Sequence, residues 1–443
     1  MVVFIFPFLI CVPTQVAEDF QSQWEASCMI RHDKFNYILP KAMRRNNIDM
    51  WIVLDHGRGT EPLMLDLGIE TAYGHGIYIF FDGGGDRVER LCLGGPGSSD
   101  LSDICGAYDV IHGKADLRSV VYERDPKRIG LNYIDPPIHG EGIHTADGLS
   151  LTDYEYLVEE LGEKYAKRFV SAQRLIADFH GEHVAGEIIE FAKVAELTHR
   201  TLERALSNEV IIPGRTTHFQ VEMWLEERRA ELGLGRTWVP GVAFPAPGTG
   251  EYQSLVPGTF KERVIQRGDI LYIDWGLMRN NFSTDMKRYA YVLKVGEEDA
   301  PPGLIRAFEE AKTIREIIRK NVRSGRTGRE QLDELKQIVR DAGYVYTEKE
   351  RASEVPGIEV NIGMHGMDSV AHDVTAGLAE FQPELTEYEI RPNAFLALEF
   401  RIFMPAEEWG GKKIPVAIEE NVLITERGLE WLHPPQDRIL IIR

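Results

Sequence analysis

Apolar and polar positions follow two different rhythms along this chain, and the change of rhythm divides it. Between about residues 33 and 171 short helical and extended patterns alternate. Residues 35–47 have helical spacing, and Met50-Trp51-Ile52-Val53-Leu54 is an apolar run of strand length. Gly76-Ile77-Tyr78-Ile79-Phe80-Phe81 predicts a second strand that ends in the turn Asp82-Gly83-Gly84-Gly85. Residues 128–132 predict a third strand, and Ser150-Leu151-Thr152-Asp153 opens a helix through Leu161. Strands alternating with helices predict an α/β unit with a parallel or mixed sheet.

Helical periodicity then dominates. Ile188, Ala192, Ala195, Leu202 and Leu206 form a stripe over residues 183–206. Thr216-Thr217 caps a helix that stops at Gly233, and two more helices are predicted over 304–322 and 331–342, the second ended by Gly343. Strands are predicted at 270–274, 289–293, 395–400 and 422–425. Helices and strands in separate blocks predict an α+β domain over 180–443, preceded by a smaller domain over 30–172, with a linker near 169–179. No fixed-period repeat or low-complexity segment interrupts this plan.

Composition narrows the class. In 443 residues, 43% are hydrophobic and 27% charged, which is globular rather than disordered composition. The formal charge of −20 argues against a nucleic-acid partner, which needs dense Lys/Arg patches. No segment reaches the length of a membrane span. Residues 2–12 are almost wholly apolar and read as a signal-peptide core, with Ala17 as a cleavage position; the plainer readings are a misplaced start or an N-terminal strand. Export to an oxidising compartment is taken over cytoplasmic placement, with residues 1–17 as the leader or disordered start. Of the four cysteines none forms a CxxC pair, which argues against a thiolate zinc site. Cys92 and Cys105 are the pair that one bridge would join in an exported protein.

The chemistry lies on the strands of the second region. Asp274 ends the apolar run Ile270-Leu271-Tyr272-Ile273, and Ser283-Thr284-Asp285 precedes the next strand. A short hairpin between them puts both carboxylates at one end of a sheet, where a shared cation would relieve their burial; the plainer reading is two turn-capping aspartates. His365 lies in Asn361-Ile362-Gly363-Met364-His365-Gly366, with His372 seven residues on. Glu399 interrupts Ala394-Phe395-Leu396-Ala397-Leu398, and an inward carboxylate there needs a cation or a partner such as Arg401 or Arg288. Glu419 and Glu420 interrupt Val416-Ala417-Ile418; alternation turns Glu420 to the opposite face. Four carboxylates and an imidazole on adjacent strands suit two divalent cations that share a water and act on an amide.

In this order Asp274, Asp285, His365, Glu399 and Glu419 resemble the ligand series of the pita-bread metallohydrolases, peptidase family M24. That group includes methionine aminopeptidases, Xaa-Pro aminopeptidases, prolidases and creatinase. The likeness includes the eleven-residue step between the aspartates, Ser/Thr before Asp285, Arg288 three residues beyond it, and the second His seven residues after His365. Ser171-Ala172-Gln173-Arg174-Leu175-Ile176, with Gly186-Glu187-Ile188 and Ile211-Ile212-Pro213-Gly214, is similar to the family's domain junction. The resemblance selects the two-domain branch of Xaa-Pro aminopeptidase, prolidase and creatinase. It implies a creatinase-like N-terminal domain and a pita-bread catalytic domain. It further implies that Asp274 chelates one metal, Asp285 and Glu419 bridge two, and His365 and Glu399 bind the other. Glu399 would also shuttle a proton, and His372 would contact substrate. Two divalent ions per chain follow, Mn²⁺ first, then Co²⁺ or Zn²⁺, with a homodimer acting on a small peptide or small amide.

Three departures concern the substrate side. The family's His about 17 residues before the first metal Asp is missing from Ser254-Leu255-Val256-Pro257-Gly258. Ala417 stands where peptidase members carry Arg. The His-Gly-x-Gly turn is His365-Gly366-Met367-Asp368. The altered Gly/Pro-rich loop 239–257 would lie near the site and reshape the pocket. The leading expectation is therefore a dinuclear hydrolase of Xaa-Pro type. A non-peptidase C–N or amide hydrolase like creatinase or ectoine hydrolase comes second, and a silent binding scaffold third.

Overall fold

The computed structural model describes residues 20–55, 61–68, 71–73, 75–95, 100–113, 116–135, 142–248 and 262–443. The apolar start with Ala17, and the segment around Val256, lie outside them.

The alternating part of the chain builds a six-stranded mixed sheet, ordered β4-β3-β2-β1-β5-β6. Its strands are β1 (Met50–Asp55), β2 (Gly76–Phe81), β3 (Glu89–Gly94), β4 (Val110–His112), β5 (Ile129–Leu131) and β6 (Phe169–Ser171). β1 to β3 run as an antiparallel meander, while β5 and β6 pair parallel to their neighbours. The helix predicted at Ser150 is Leu151–Ala166, with the Ser150 side chain accepting from the Asp153 N–H. Where a linker was expected near 169–179, the chain instead forms β6 and the helix Gln173–Gly181, buried along its length except at Arg174.

The bridge is also different from the expected one. Cys105 pairs with Cys28 on the first helix, Phe20–Asp33, at a Cα–Cα distance of 5.3 Å. Cys92 sits in the middle of β3 with its side chain in the core, where burial pushes the thiol up to about 12 and no second sulfur among the described residues reaches it.

The second region is organised by a ten-stranded sheet whose main path is β7-β8-β9-β13-β12-β11-β10. These strands are β7 (Gly241–Ala243), β8 (Ile270–Trp275), β9 (Met286–Val292), β10 (Val345–Tyr346), β11 (Glu359–Met367), β12 (Phe395–Pro405) and β13 (Lys413–Thr425). The four helices predicted from periodicity are Ala185–Ala205, His218–Glu231, Pro302–Asn321 and Gly328–Asp341. Thr217 and Thr327 each cap through a reciprocal exchange with the residue three positions on. Alternation sorts β12: Leu396, Leu398, Phe400 and Ile402 enter a core with Leu304, Phe308, Ala311 and Ile318 of the third helix. Ala397, Glu399 and Arg401 take the other face. Mixed helix and sheet of this kind is the α+β architecture expected. No helix among the described residues is long and apolar enough to cross a membrane.

β9 begins at Met286, earlier than the apolar pattern suggested. That extension brings one further charged residue into the sheet.

Candidate metal centre

Strand register makes the site. Asp274 pairs with Lys287, Lys287 with Glu419, and Glu419 with Glu399, so four ionisable side chains form one row across β8, β9, β13 and β12. Asp285, two residues before Lys287, projects to the same side. His365 on β11 faces Ala397 and completes the set from the next strand.

A close approach and a left-handed turn fix the hairpin that carries the aspartates. A Cβ on Gly276 would lie 1.7 Å from the Thr284 carbonyl oxygen, so only glycine fits after Asp274-Trp275. Asn280 and Asn281, with φ of 49° and 67°, make the turn between Leu277–Arg279 and Phe282–Ser283. The Ser-Thr pair is structural: Ser283 Oγ donates to the Ser369 carbonyl at 2.8 Å, and Thr284 Oγ1 bonds Thr198 Oγ1 at 2.8 Å.

The five sequence candidates converge. His365 Nε2 lies 3.3 Å from Glu419 Oε1, 3.7 Å from Asp285 Oδ2 and 3.9 Å from Glu399 Oε2. His372 Nε2 lies 3.6 Å from Asp285 Oδ2, and its ring centroid is 3.9 Å from that of His365. All five are within a few per cent of full burial except the half-buried Asp274, and His372 keeps about a quarter of its side chain exposed. Burial, followed by the charges of Glu419 and Asp274, pushes Asp285 well above the carboxylate range. Asp285 Oδ1 is buried with no hydrogen-bond donor among the described residues. A carboxyl whose charge is disfavoured and whose one oxygen lacks a donor, beside two imidazoles and further carboxylates, is what a divalent cation would convert to a ligand set. The residues therefore fit such an ion.

Sequence reasoning missed Lys287. Its ammonium lies 2.6 Å from Glu399 Oε1, 2.9 Å from Glu419 Oε2 and 3.1 Å from Asp274 Oδ2. Burial alone would raise Glu419, but Lys287 and His365 outweigh it and hold the group far below the usual range. Glu399 is also held low, against burial, by Arg401 and Lys287. The readable signal was the alternation Asp285-Met286-Lys287. Arg401 Nη2 contacts Glu399 Oε1 at 2.7 Å, so the side-chain partner considered for that glutamate is present. Arg401 also faces Ala417 in register, so a guanidinium enters the site directly across from the position where an arginine was expected.

Glu420 does face away from Glu419, and it is fully buried. It contacts Arg288 at 3.0 Å and His433 at 3.6 Å.

The row opens into a cavity of about 1010 Å³. Asp274, Asp285, Lys287, His372, Glu399, Arg401 and Glu419 line it, with Trp238 and Phe381 as apolar walls; Gly142 and His144 come from the first region. A second cavity, of about 450 Å³, lies beside the first helix and the 277–283 hairpin; no set of converging metal-type donors lines it among the described residues.

Asp368 replaces the second glycine of the turn, and the structure gives the reason. Its Oδ2 lies 3.3 Å from His180 Nδ1, which also meets Asp373 Oδ1 at 3.2 Å, while His180 Nε2 is 3.5 Å from Asp66 Oδ2. Lys34, Glu187 and His183 continue this buried network: Lys34 Nζ is 3.2 Å from Glu187 Oε1, and His183 Nδ1 is 3.4 Å from Glu187 Oε2.

Comparison with known proteins bears on the family and the fold. The model of metallopeptidase family M24 matches residues 190–426. The Xaa-Pro dipeptidase of Pyrococcus furiosus is 25% identical over 293 residues, 64% of this chain and 72% of the relative. That of Pyrococcus horikoshii is 25% identical over 301 residues, 66% and 74% of the two chains. Among solved structures, an X-Pro aminopeptidase from Thermotoga maritima superposes with a TM-score of 0.62 at 18% identity, covering 90% of this chain and 99% of that one. The prolidase from P. furiosus gives 0.54 at 20% identity, covering 89% and 99%. At these identities the structures speak for the pita-bread fold.

Proposed function

The chain belongs to metallopeptidase family M24, an enzyme family that uses divalent metal, and from that premise we propose that it hydrolyses an amide bond in a small peptide, with proline after the scissile bond as the favoured substrate. The observation that carries the reading is the meeting of the buried His365 with Asp285, Glu399 and Glu419, which line a cavity large enough for a few residues of peptide. The Xaa-Pro names of the relatives support the substrate class.

Asp274, Asp285, His365, Glu399 and Glu419 are the residues that would hold divalent metal, Mn²⁺ first on chemical grounds. Bound there, it would polarise the scissile carbonyl and make water a nucleophile at neutral pH. Glu399, kept ionised by Arg401 and Lys287, accepts a proton at its carboxylate and returns it to the leaving amine. Arg401 presents a guanidinium suited to the carboxylate of a dipeptide. His372, on the exposed side, donates to the substrate carbonyl as negative charge develops. The Cys28–Cys105 bridge supports an oxidising compartment.

Ala417 favours a second reading, a non-peptidase amide hydrolase, because no guanidinium projects from β13 at that position. Dipeptides ending in proline, tested beside small amides with Mn²⁺, Co²⁺ or Zn²⁺ added, separate the two. Turnover of Xaa-Pro that falls on Arg401→Ala through KM supports the peptidase. Turnover of small amides alone transfers the site to the second reading.

A further inference from the structure

We infer that Lys287 takes the place of one metal ion, so that the centre holds a single divalent cation on its histidine side. The inference rests on the proposal that the site is a metal centre and deepens it.

An ammonium has three N–H donors and no acceptor. Lys287 Nζ meets three carboxylate oxygens from three residues: Glu399 Oε1, Glu419 Oε2 and Asp274 Oδ2, at 2.6, 2.9 and 3.1 Å. Each donor thus has an anionic acceptor, and the side chain is only 2% exposed. A compact, fixed positive charge at this place competes directly with a cation for the same oxygens.

The remaining oxygens point elsewhere. Glu419 Oε1, Glu399 Oε2 and Asp285 Oδ2 are the atoms nearest His365 Nε2, and Asp285 Oδ2 is also the nearest to His372 Nε2. The two oxygens of each glutamate are therefore divided, one toward the ammonium and one toward the imidazoles. Asp285, the carboxylate Lys287 does not contact within ion-pair distance, is the one with a buried oxygen lacking a donor.

Charge is consistent with this: Lys287 already offsets one of the four carboxylates Asp274, Asp285, Glu399 and Glu419, while Arg401 is shared between Glu399 at 2.7 Å and Glu350 at 3.6 Å. His365, Asp285, Glu399 and Glu419 hold the ion, and His372 remains the substrate contact. An imidazole with carboxylates suits a borderline ion such as Mn²⁺ or Zn²⁺.

The test is metal stoichiometry on the intact protein. Apo-protein is saturated with Mn²⁺, freed of excess ion, and analysed by elemental mass spectrometry beside Lys287→Ser and Lys287→Met. One ion per chain in the wild type and two in Lys287→Ser is the expected result. Two ions in the wild type overturn the inference and leave the metallopeptidase intact. One ion in folded Lys287→Ser and Lys287→Met shows that the ammonium is not what excludes the second, and also overturns it. No ion in the wild type with Mn²⁺, Co²⁺ or Zn²⁺ overturns the metal-centre proposal itself. Electron paramagnetic resonance of the Mn²⁺-loaded wild type needs no variant: isolated-ion spectra support the inference, and an exchange-coupled pair refutes it.

Discussion

Residues 365–373 connect two clusters made of the same side chains and different in their access to a cavity. His365 and His372 face the open row with Asp285, Glu399 and Glu419. Asp368 and Asp373, between and beside them, face the closed network of His180, Asp66, Lys34, His183 and Glu187. The closed network also holds more carboxylates, Asp66, Asp368, Asp373 and Glu187, than cations, and burial pushes Asp368 well up; among the described residues it meets a cavity only at Lys34 and Asp66. Asp373 and Asp368 raise His180 against burial, and Asp373 is held low in return. In the open row burial likewise pushes Asp285 up, but one cavity reaches Asp274, Asp285, His372, Glu399 and Glu419 together. Residue type alone does not mark a site; converging donors open to one cavity do. The closed network is also the mount of the open one. Asp373 accepts from the Val374 N–H at 2.6 Å and from Ser369 Oγ at 3.1 Å, fixing the loop that presents His372.

If that division is right, substitutions in the open row should cost activity and those in the closed network should cost stability. The largest effect is expected in the row. Asp285→Ala and Glu419→Ala should take turnover to the limit of the assay while thermal unfolding changes little. Glu399→Gln should lower kcat by about 10²–10⁴-fold, the range for a positioned proton acceptor. A near-normal rate in Glu399→Gln would assign the proton transfer to another group.

Next is Lys34→Met. It leaves the fully buried Glu187 without its ammonium, which costs about 3–5 kcal/mol of stability for a broken buried pair. Chemical denaturation measures this, and kcat per folded molecule should stay close to wild type. A selective loss of kcat at unchanged stability would erase the distinction between the clusters.

The same pair sharpens the comparison through pH. Burial alone would raise Glu187, but Lys34 and His183 outweigh it and hold it at about 2. A depressed pKa contributes stability that is complete above the unfolded value near 4.5 and is lost as pH falls toward 2, on the order of 3 kcal/mol in all. Unfolding free energies between pH 6 and 3 should therefore fall more steeply in the wild type than in Glu187→Gln. Parallel slopes would remove Glu187 as the source.

How far the sequence reveals these clusters follows from how each is assembled. Asp274, Glu399 and Glu419 stand out because each interrupts an apolar strand, and period-two alternation assigns their face. Lys287 obeys the same rule, but the apolar pattern starts that strand at Tyr289, so the lysine reads as loop. The closed network draws on residues 34, 66, 180–187 and 368–373. No local period links them, and only the packing of Gln173–Gly181, a helix in place of a linker, brings them together. The disulfide fails for a similar reason: Cys28 lies on a helix whose docking beside Cys105 is a tertiary event.

The smallest predicted effect tests whether the first region belongs to the site at all. Gly142 lies in that region with φ of +80°, and a Cβ there would sit 2.3 Å from the carbonyl oxygen of His372 and 3.0 Å from that of Asp373. Both atoms are backbone, so the contact cannot be relieved by a rotamer change. Gly142→Ala adds about 1 kcal/mol of left-handed strain, and it must push either its own segment or the His372 loop away. If the loop yields, His372 leaves its place 3.6 Å from Asp285, and kcat/KM should fall on the order of tenfold, since displacements well under 1 Å already cost rate. Metal content should not fall with it, because His365, Asp285, Glu399 and Glu419 are carried on other strands. A rate unchanged in Gly142→Ala, with the strain visible only as a lower Tm, would mean that the first region covers the cavity without positioning its chemistry.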